Sequence, residues 1–450
     1  MSTLAEALGP MPGSLSPLAF LDEQYKQEQD RVFRRAWLFV GHESLIPNNS
    51  DYFLSYMGED PVIVQRGRDS KVRVHLNRCR HRANLLCVRD RGNQPALVCS
   101  YHGWTYTEGV LTGVPGLRDS YYNEIDRSQL GLIEARSQVY GGLIFATWDA
   151  DAVSLDDYLG DAKWWLDHFL IREELGGLEV IPGQQRYVYP INWKIIAENF
   201  GGDYYHFAES HGSVLGALAQ TSDKRIAATG ATTAKADQPL YFCTAANYGS
   251  GAAHGFYEIS AGQAARNQEL ALANQLGPEA VEWYHEREQL LNERLKALEF
   301  RPYSFHVANI FPNFALIGVG SAFYGKGLIL HHPRGAKRTE AWVWCAVEKN
   351  APKSVKQRQR FVLMQRQAAA GLVAPDDHEN FERISDTIDS GVGRRVAFHY
   401  AMALGHDDDD PRPAEWQGKP HWPGRLGPRV SEINQRDFYR YWSSLMAARA

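Results

Sequence analysis

Two short pairs of cysteine and histidine mark the early part of the chain: Cys79-x-His81 and, after seventeen intervening residues, Cys99-x-x-His102. Two thiolates and two imidazoles grouped this way suit a [2Fe–2S] cluster with sulfur ligands on one iron and nitrogen ligands on the other. This is Rieske ligation, and its neutral histidines raise the reduction potential above that of an all-cysteine cluster. A structural zinc site uses the same residue types but usually pairs Cys with Cys and His with His. A disulfide between Cys79 and Cys99 would leave both histidines idle. The cluster reading therefore leads. The flank Tyr101-His102-Gly103-Trp104 suits a tight shielding loop, and Cys87 reads as a small buried residue rather than a fifth ligand.

Around these pairs the texture is β-rich. Short runs such as Val62–Gln65, Val72–Leu76, Ala96–Ser100 and Gly141–Trp148 read as strands, with the ligand pairs on loops at their ends. Residues 18–38 carry a helical spacing, with Phe20, Tyr25, Val32, Phe33 and Trp37 recurring. After Asp149 the pattern turns mixed. Helices are expected at 154–169, from Trp193 towards His206, at 277–298, at 353–370 and at 433–446. Strands are expected at 185–189, 315–319 and 341–347, and residues 404–428 read as a surface loop. At 450 residues the chain exceeds one ordinary core. The order suggests a small β domain over 38–150, inserted into a larger α+β domain formed by 1–37 and 151–450.

A second constellation runs from Asn192-Trp193-Lys194 to Glu209-Ser210-His211. Asp203 and His206, three residues apart, would share a helix face. His206 and His211 lie roughly 140° apart on an ideal helix, so they could meet one ion only if the helix ends or bends between them. Gly212 suits such an ending. Two imidazoles plus a carboxylate from elsewhere would make the facial triad of a non-haem Fe(II) oxygenase, with positions left open for O₂. The carboxylate is sought in Pro375-Asp376-Asp377-His378-Glu379-Asn380. Asp376 followed by Glu379 also resembles a capping box, and spacing alone does not say which acid caps and which ligates.

Composition narrows the partners. A net charge of −5 gives no reason to expect nucleic acid. No run of eighteen apolar residues offers a transmembrane helix, and Met1–Pro17 lacks the pattern of a secretory signal. Five cysteines, two of them in the cluster motif, fit a reducing cytoplasm better than a disulfide framework. The 12 Trp, 22 Tyr and 19 Phe fill cores by default, yet they also suit a pocket for a flat apolar ligand.

Taken together, these motifs resemble the large α subunits of Rieske aromatic ring-hydroxylating dioxygenases, the naphthalene and biphenyl dioxygenase group. The resemblance runs from Phe33-Arg34-Arg35-Ala36-Trp37 through both Cys/His pairs. It continues through Asn192-Trp193-Lys194, Glu198-Asn199-Phe200, Gly202-Asp203 and Phe311-Pro312-Asn313, and ends at Asn434-Gln435-Arg436. It implies a small all-β Rieske domain beside a larger catalytic domain, an antiparallel sheet covered by helices in the helix-grip, START-like manner. It implies that Cys79, His81, Cys99 and His102 hold the cluster and that His206, His211 and Asp377 hold the mononuclear iron. Asp203 matches a carboxylate linking a cluster histidine of one subunit to an iron-ligating histidine of the next, and Asn199 matches a polar residue near the iron. Phe200 and Phe207 flank the iron motif as candidate pocket residues. The implied assembly is three α with three small β subunits. Two departures stand out: Ala374-Pro375 precede the Asp pair, and Ile329 and His331 stand where Arg and Trp are expected.

The activity implied is cis-dihydroxylation of a mono- or polycyclic aromatic ring with O₂. Since no Gly-x-Gly-x-x-Gly fingerprint follows a strand, NADH would be oxidised by a separate reductase, with or without a ferredoxin. A Rieske monooxygenase hydroxylating or demethylating an aromatic acid is the nearest alternative, with Arg301 or Lys326 facing the carboxylate. A pure Rieske electron-transfer protein is a further one.

Overall fold

In the computed structural model, which describes residues 13–214, 216, 240–248, 251–260, 263–298, 304–428 and 430–448, the β-rich stretch forms one unit, Phe33–Leu155. Seven antiparallel strands run in the order 38–42, 143–147, 134–140, 72–76, 60–66, 51–57 and 91–93. Their inner residues, among them Val62, Ile63, Val64, Val74 and Leu143 to Ala146, are buried. A three-stranded sheet follows, built from 97–98, 105–107 and 110–113. The Cys79/His81 loop leaves the strand Val72–Leu76, and the Cys99/His102 loop joins Leu97–Val98 to Thr105–Thr107. Cys79, Cys99, Trp104 and Tyr106 share one buried cluster with Tyr52, Ile63 and Leu97.

The second unit is an α+β assembly on an eight-stranded antiparallel sheet. Its strand order is Leu178–Tyr189, Thr339–Glu348, Lys326–Pro333, Phe314–Ile317, Ser304–Ile310, Gly251–Ser260, Leu240–Tyr248 and Arg425–Pro428. The last helix, Ile433–Ala447, packs on the Leu240–Tyr248 and Gly251–Ser260 strands. Trp165 stacks on Phe256 and meets Trp422 edge-on, an aromatic core beside the sheet. No helix among the described residues is long and apolar enough to cross a membrane.

Three expectations need correction. The helix expected over 18–38 is a 3₁₀ turn, Pro17–Phe20, then Asp22–Glu28 and a π-type turn to Phe33, before the strand Leu38–His42 begins. The helix from Trp193 stops at Phe200, so Asp203 and His206 do not share a helix face. Asn192 caps its start by accepting from the Lys194 backbone N–H at 3.1 Å. Its end is set by Gly201-Gly202. Gly202 sits at φ +139°, and a Cβ on Gly255 would stand 2.0 Å from the Gly201 carbonyl oxygen, so only glycine lets the two backbones meet. Lys326 cannot face a ligand carboxylate. It is fully buried and donates to Glu348 at 2.6 Å, with Arg172 on the other carboxylate oxygen at 3.2 Å. Arg301 lies outside the described residues.

Candidate active site and metal centres

Cys79 and Cys99 are free, buried thiols, which removes the disulfide alternative. Backbone turns shape both loops: Ala83 N–H bonds the Cys79 carbonyl, and Gly103 N–H bonds that of Cys99. Gly103 takes φ +73°, the left-handed conformation that closes the second loop. The turns bring the His81 and His102 rings to 4.5 Å between centroids, while Trp104 stacks on His81 at 4.9 Å. His81 Nδ1 is buried without a hydrogen-bond partner among the described residues. Burial would raise the Cys99 thiol, but backbone N–H groups of Tyr101 and His102 bring it below the ordinary value. An orphaned imidazole nitrogen on one loop and a thiol biased towards thiolate on the other are what a Rieske cluster needs of its ligands.

The Tyr106 hydroxyl lies 3.5 Å from Cys79 Sγ and accepts from the Arg80 backbone N–H at 3.0 Å. A hydroxyl donating to a ligand sulfur favours the reduced, more negative cluster. Tyr106→Phe is therefore expected to lower the cluster potential by tens of millivolts, on a scale of about 59 mV per tenfold for one electron. An EPR-monitored redox titration reads this directly, and an unmoved midpoint would refute the assignment.

The second centre is assembled from three places. His206 and His211 bracket the short helix Phe207–Ser210, which turns the two rings towards each other at 5.2 Å between centroids. Asp377 lies in the first turn of the helix Ala374–Ile388, where Pro375 is tolerated because its N–H would be unpaired anyway. His206 Nε2 is 3.4 Å and His211 Nε2 3.3 Å from the same Asp377 oxygen. One ligand atom from each of the three residues lies within 4.8 Å of the others.

Behind each imidazole stands a second carboxylate. Asp203 Oδ2 is 3.3 Å from His206 Nδ1, and Asp376 Oδ2 is 3.2 Å from His211 Nδ1. Carboxylates so placed fix the tautomer that presents Nε2 as a lone pair. The Asn199 amide nitrogen lies 3.4 Å from His206 Nδ1. Burial opposes charge on His206, yet Asp203 and Asp377 push it up to about 10, and Asp377 with Asp376 raises His211 as well. Asp377 itself resists burial and is held below the usual carboxylate range by the two histidines. Three carboxylates around two imidazoles carry an excess of negative charge that a divalent cation would balance. Asp376 thus supports His211 instead of acting as a cap, since the cap position is Val373 and makes no side-chain bond. Phe207 contacts His211 at 5.7 Å, and Phe200, one residue after Asn199, packs on His331 at 5.6 Å.

Residues 155–448 match the family described as "Ring hydroxylating alpha subunit (catalytic domain)", and residues 36–122 match the Rieske [2Fe–2S] domain. The chain belongs to the α subunits of the Rieske non-haem iron aromatic ring-hydroxylating dioxygenases. It is similar to the biphenyl 2,3-dioxygenase α subunit of Rhodococcus jostii strain RHA1, 35% identical over 99% of this chain and 91% of that one. The benzene 1,2-dioxygenase α subunit of Pseudomonas putida is also 35% identical, over 97% and 92%. Among solved structures, naphthalene 1,2-dioxygenase of a Rhodococcus species superposes with a TM-score of 0.79 at 30% identity, covering 100% of this chain and 98% of that one. As an α subunit of this family, the chain is an oxidoreductase carrying a Rieske domain and a mononuclear metal site at His206, His211 and Asp377.

Proposed function

We propose that this chain is the terminal oxygenase subunit that adds both atoms of O₂ to one face of a neutral aromatic ring, giving a cis-dihydrodiol. The observation that carries the reading is the paired support of the metal site: each imidazole is backed by its own carboxylate, and both converge on Asp377. Cys79, His81, Cys99 and His102 are the cluster ligands in this reading. His206, His211 and Asp377 are the iron ligands. When bound, the two centres supply the electrons and the open coordination positions that O₂ reduction beside a substrate requires. The chain's own residues do the rest. Asp203 and Asp376 hold the imidazoles in one tautomer and orientation. Asn199 sets a polar edge at His206, and Phe200 and Phe207 give the site apolar walls on which a flat ring can lie.

The likeness to α subunits further supports a three-α, three-β ring in which Asp203 reaches a cluster histidine of the neighbouring α subunit. It supports electron delivery from NADH through a separate reductase, with or without a ferredoxin, a cytoplasmic location and a helix-grip catalytic domain. Dioxygenation is preferred to monooxygenation because relatives at 35% identity over nearly the whole chain are dioxygenase subunits by name.

The deciding experiment is EPR on the purified, dithionite-reduced protein before and after nitric oxide. A rhombic Rieske signal followed by a high-spin iron–nitrosyl signal is expected. A Rieske signal alone, in iron-replete protein, would leave only an electron carrier.

A further inference from the structure

We propose that His331 is a specificity-determining residue, whose imidazole hydrogen-bonds an uncharged polar group, a hydroxyl or a ring nitrogen, on the aromatic substrate. The inference rests on the proposed function and adds the kind of ring the site selects.

Two independent placements set His331 on the side of the sheet that faces the metal-site elements. Its ring packs on Phe200, and the adjoining Asn199 touches His206. Across the sheet, His331 pairs with Ala341, and Ala341 pairs with Tyr187, so the three form one rung. Directly opposed residues of antiparallel strands point to the same side. Tyr189, two residues further along that side, lies 5.3 Å from His378 and 5.5 Å from Phe381, both on the helix that carries Asp377. The face bearing His331 is thus the face that this helix covers. On that rung the small side chain of Ala341 separates His331 from Tyr187, with neighbouring strands about 4.8 Å apart.

The His331 side chain is 1% exposed, and neither ring nitrogen has a hydrogen-bond partner among the described residues. Its backbone N–H is satisfied by the Asn313 carbonyl, so only the imidazole is left over. Buried polar groups are nearly always paired, and an orphan calls for a missing partner. Where the family resemblance leads one to expect Trp, this chain places a ring with one donor and one acceptor. Burial pushes its pKa down to about 3, so it stays uncharged at neutral pH and suits a neutral substituent better than a carboxylate. The buried Lys326, engaged by Glu348, supplies no counter-ion for an acid.

Equilibrium binding of naphthalene and 2-naphthol to the purified, iron-loaded protein tests this, together with single-turnover product yield after chemical reduction. His331→Phe is expected to lower the affinity ratio of 2-naphthol to naphthalene at least about tenfold, because a lost substrate hydrogen bond discriminates strongly. His331→Asn, which keeps a donor and an acceptor, should hold an intermediate ratio and serves if the Phe variant fails to fold. A ratio within twofold of wild type in a folded variant overturns the inference alone. Wild-type protein that binds neither compound overturns it together with the proposed function.

Discussion

Asp377→Ala is expected to lose the mononuclear iron and all measurable turnover while keeping the Rieske EPR signal. Asp377 offers one oxygen to both imidazoles, at 3.4 and 3.3 Å, so its removal leaves two ligands where three define the site. The loss should exceed the about 10–100-fold that removal of a residue behind a ligand typically costs. Asp203→Ala is the informative contrast. Asp203 touches His206 at Nδ1, away from the atom facing Asp377, so this variant should keep both metals and still turn over poorly. Iron analysis, EPR and single-turnover yield separate the two cases. Full iron occupancy in the Asp377 variant would remove it from the ligand set, and wild-type turnover in the Asp203 variant would remove its role.

The Rieske domain was legible because Cys-x-His and Cys-x-x-His are local spacings, and each of the two loops that carry them is closed by hydrogen bonds within itself. The iron site was only half legible. His206 and His211 are near neighbours in sequence, but Asp377 comes from a helix some 165 residues on, and the family resemblance was needed to choose it over Asp376. That Asp376 backs His211 was hidden, because an acid in a helix's first turn looks like a cap. Gly201-Gly202 was the available signal that the Trp193 helix stops short of Asp203. The strand Lys326–Pro333 escaped notice because it is buried on both faces and shows no alternation. Its Lys and two His interrupt the apolar run, yet Lys326 is held by Glu348 and His331 lies on the face covered by the Asp377 helix. Long-range pairing of polar groups leaves no local period to read.

Glu28 is the strongest case of that kind, and its replacement is expected to cost more stability than any other single change proposed for this chain. It closes the short helix Asp22–Glu28, fully buried, and accepts three hydrogen bonds. These come from Lys194 Nζ at 2.5 Å, Trp193 Nε1 at 2.7 Å and Trp442 Nε1 at 2.8 Å. One carboxylate thereby ties the N-terminal segment, the helix leading to Asn199 and the C-terminal helix together. Burial lowers the Lys194 pKa, and the Glu28 carboxylate works against that fall. Glu28→Ala would leave an ammonium and two indole N–H groups without acceptors in an apolar surround. Removing one partner of a buried pair costs about 3–5 kcal/mol, and each stranded N–H adds about 1–3 kcal/mol. The urea midpoint should fall accordingly, or the variant should fail to accumulate as folded protein. Adding Lys194→Met to Glu28→Gln should recover much of the loss, since no unpaired charge is then buried and the Gln amide oxygen can still accept from the two indole N–H groups. A Glu28→Ala protein within about 1 kcal/mol of wild type, far below the cost of an unpaired buried charge, would show that the pair does not hold these three segments together.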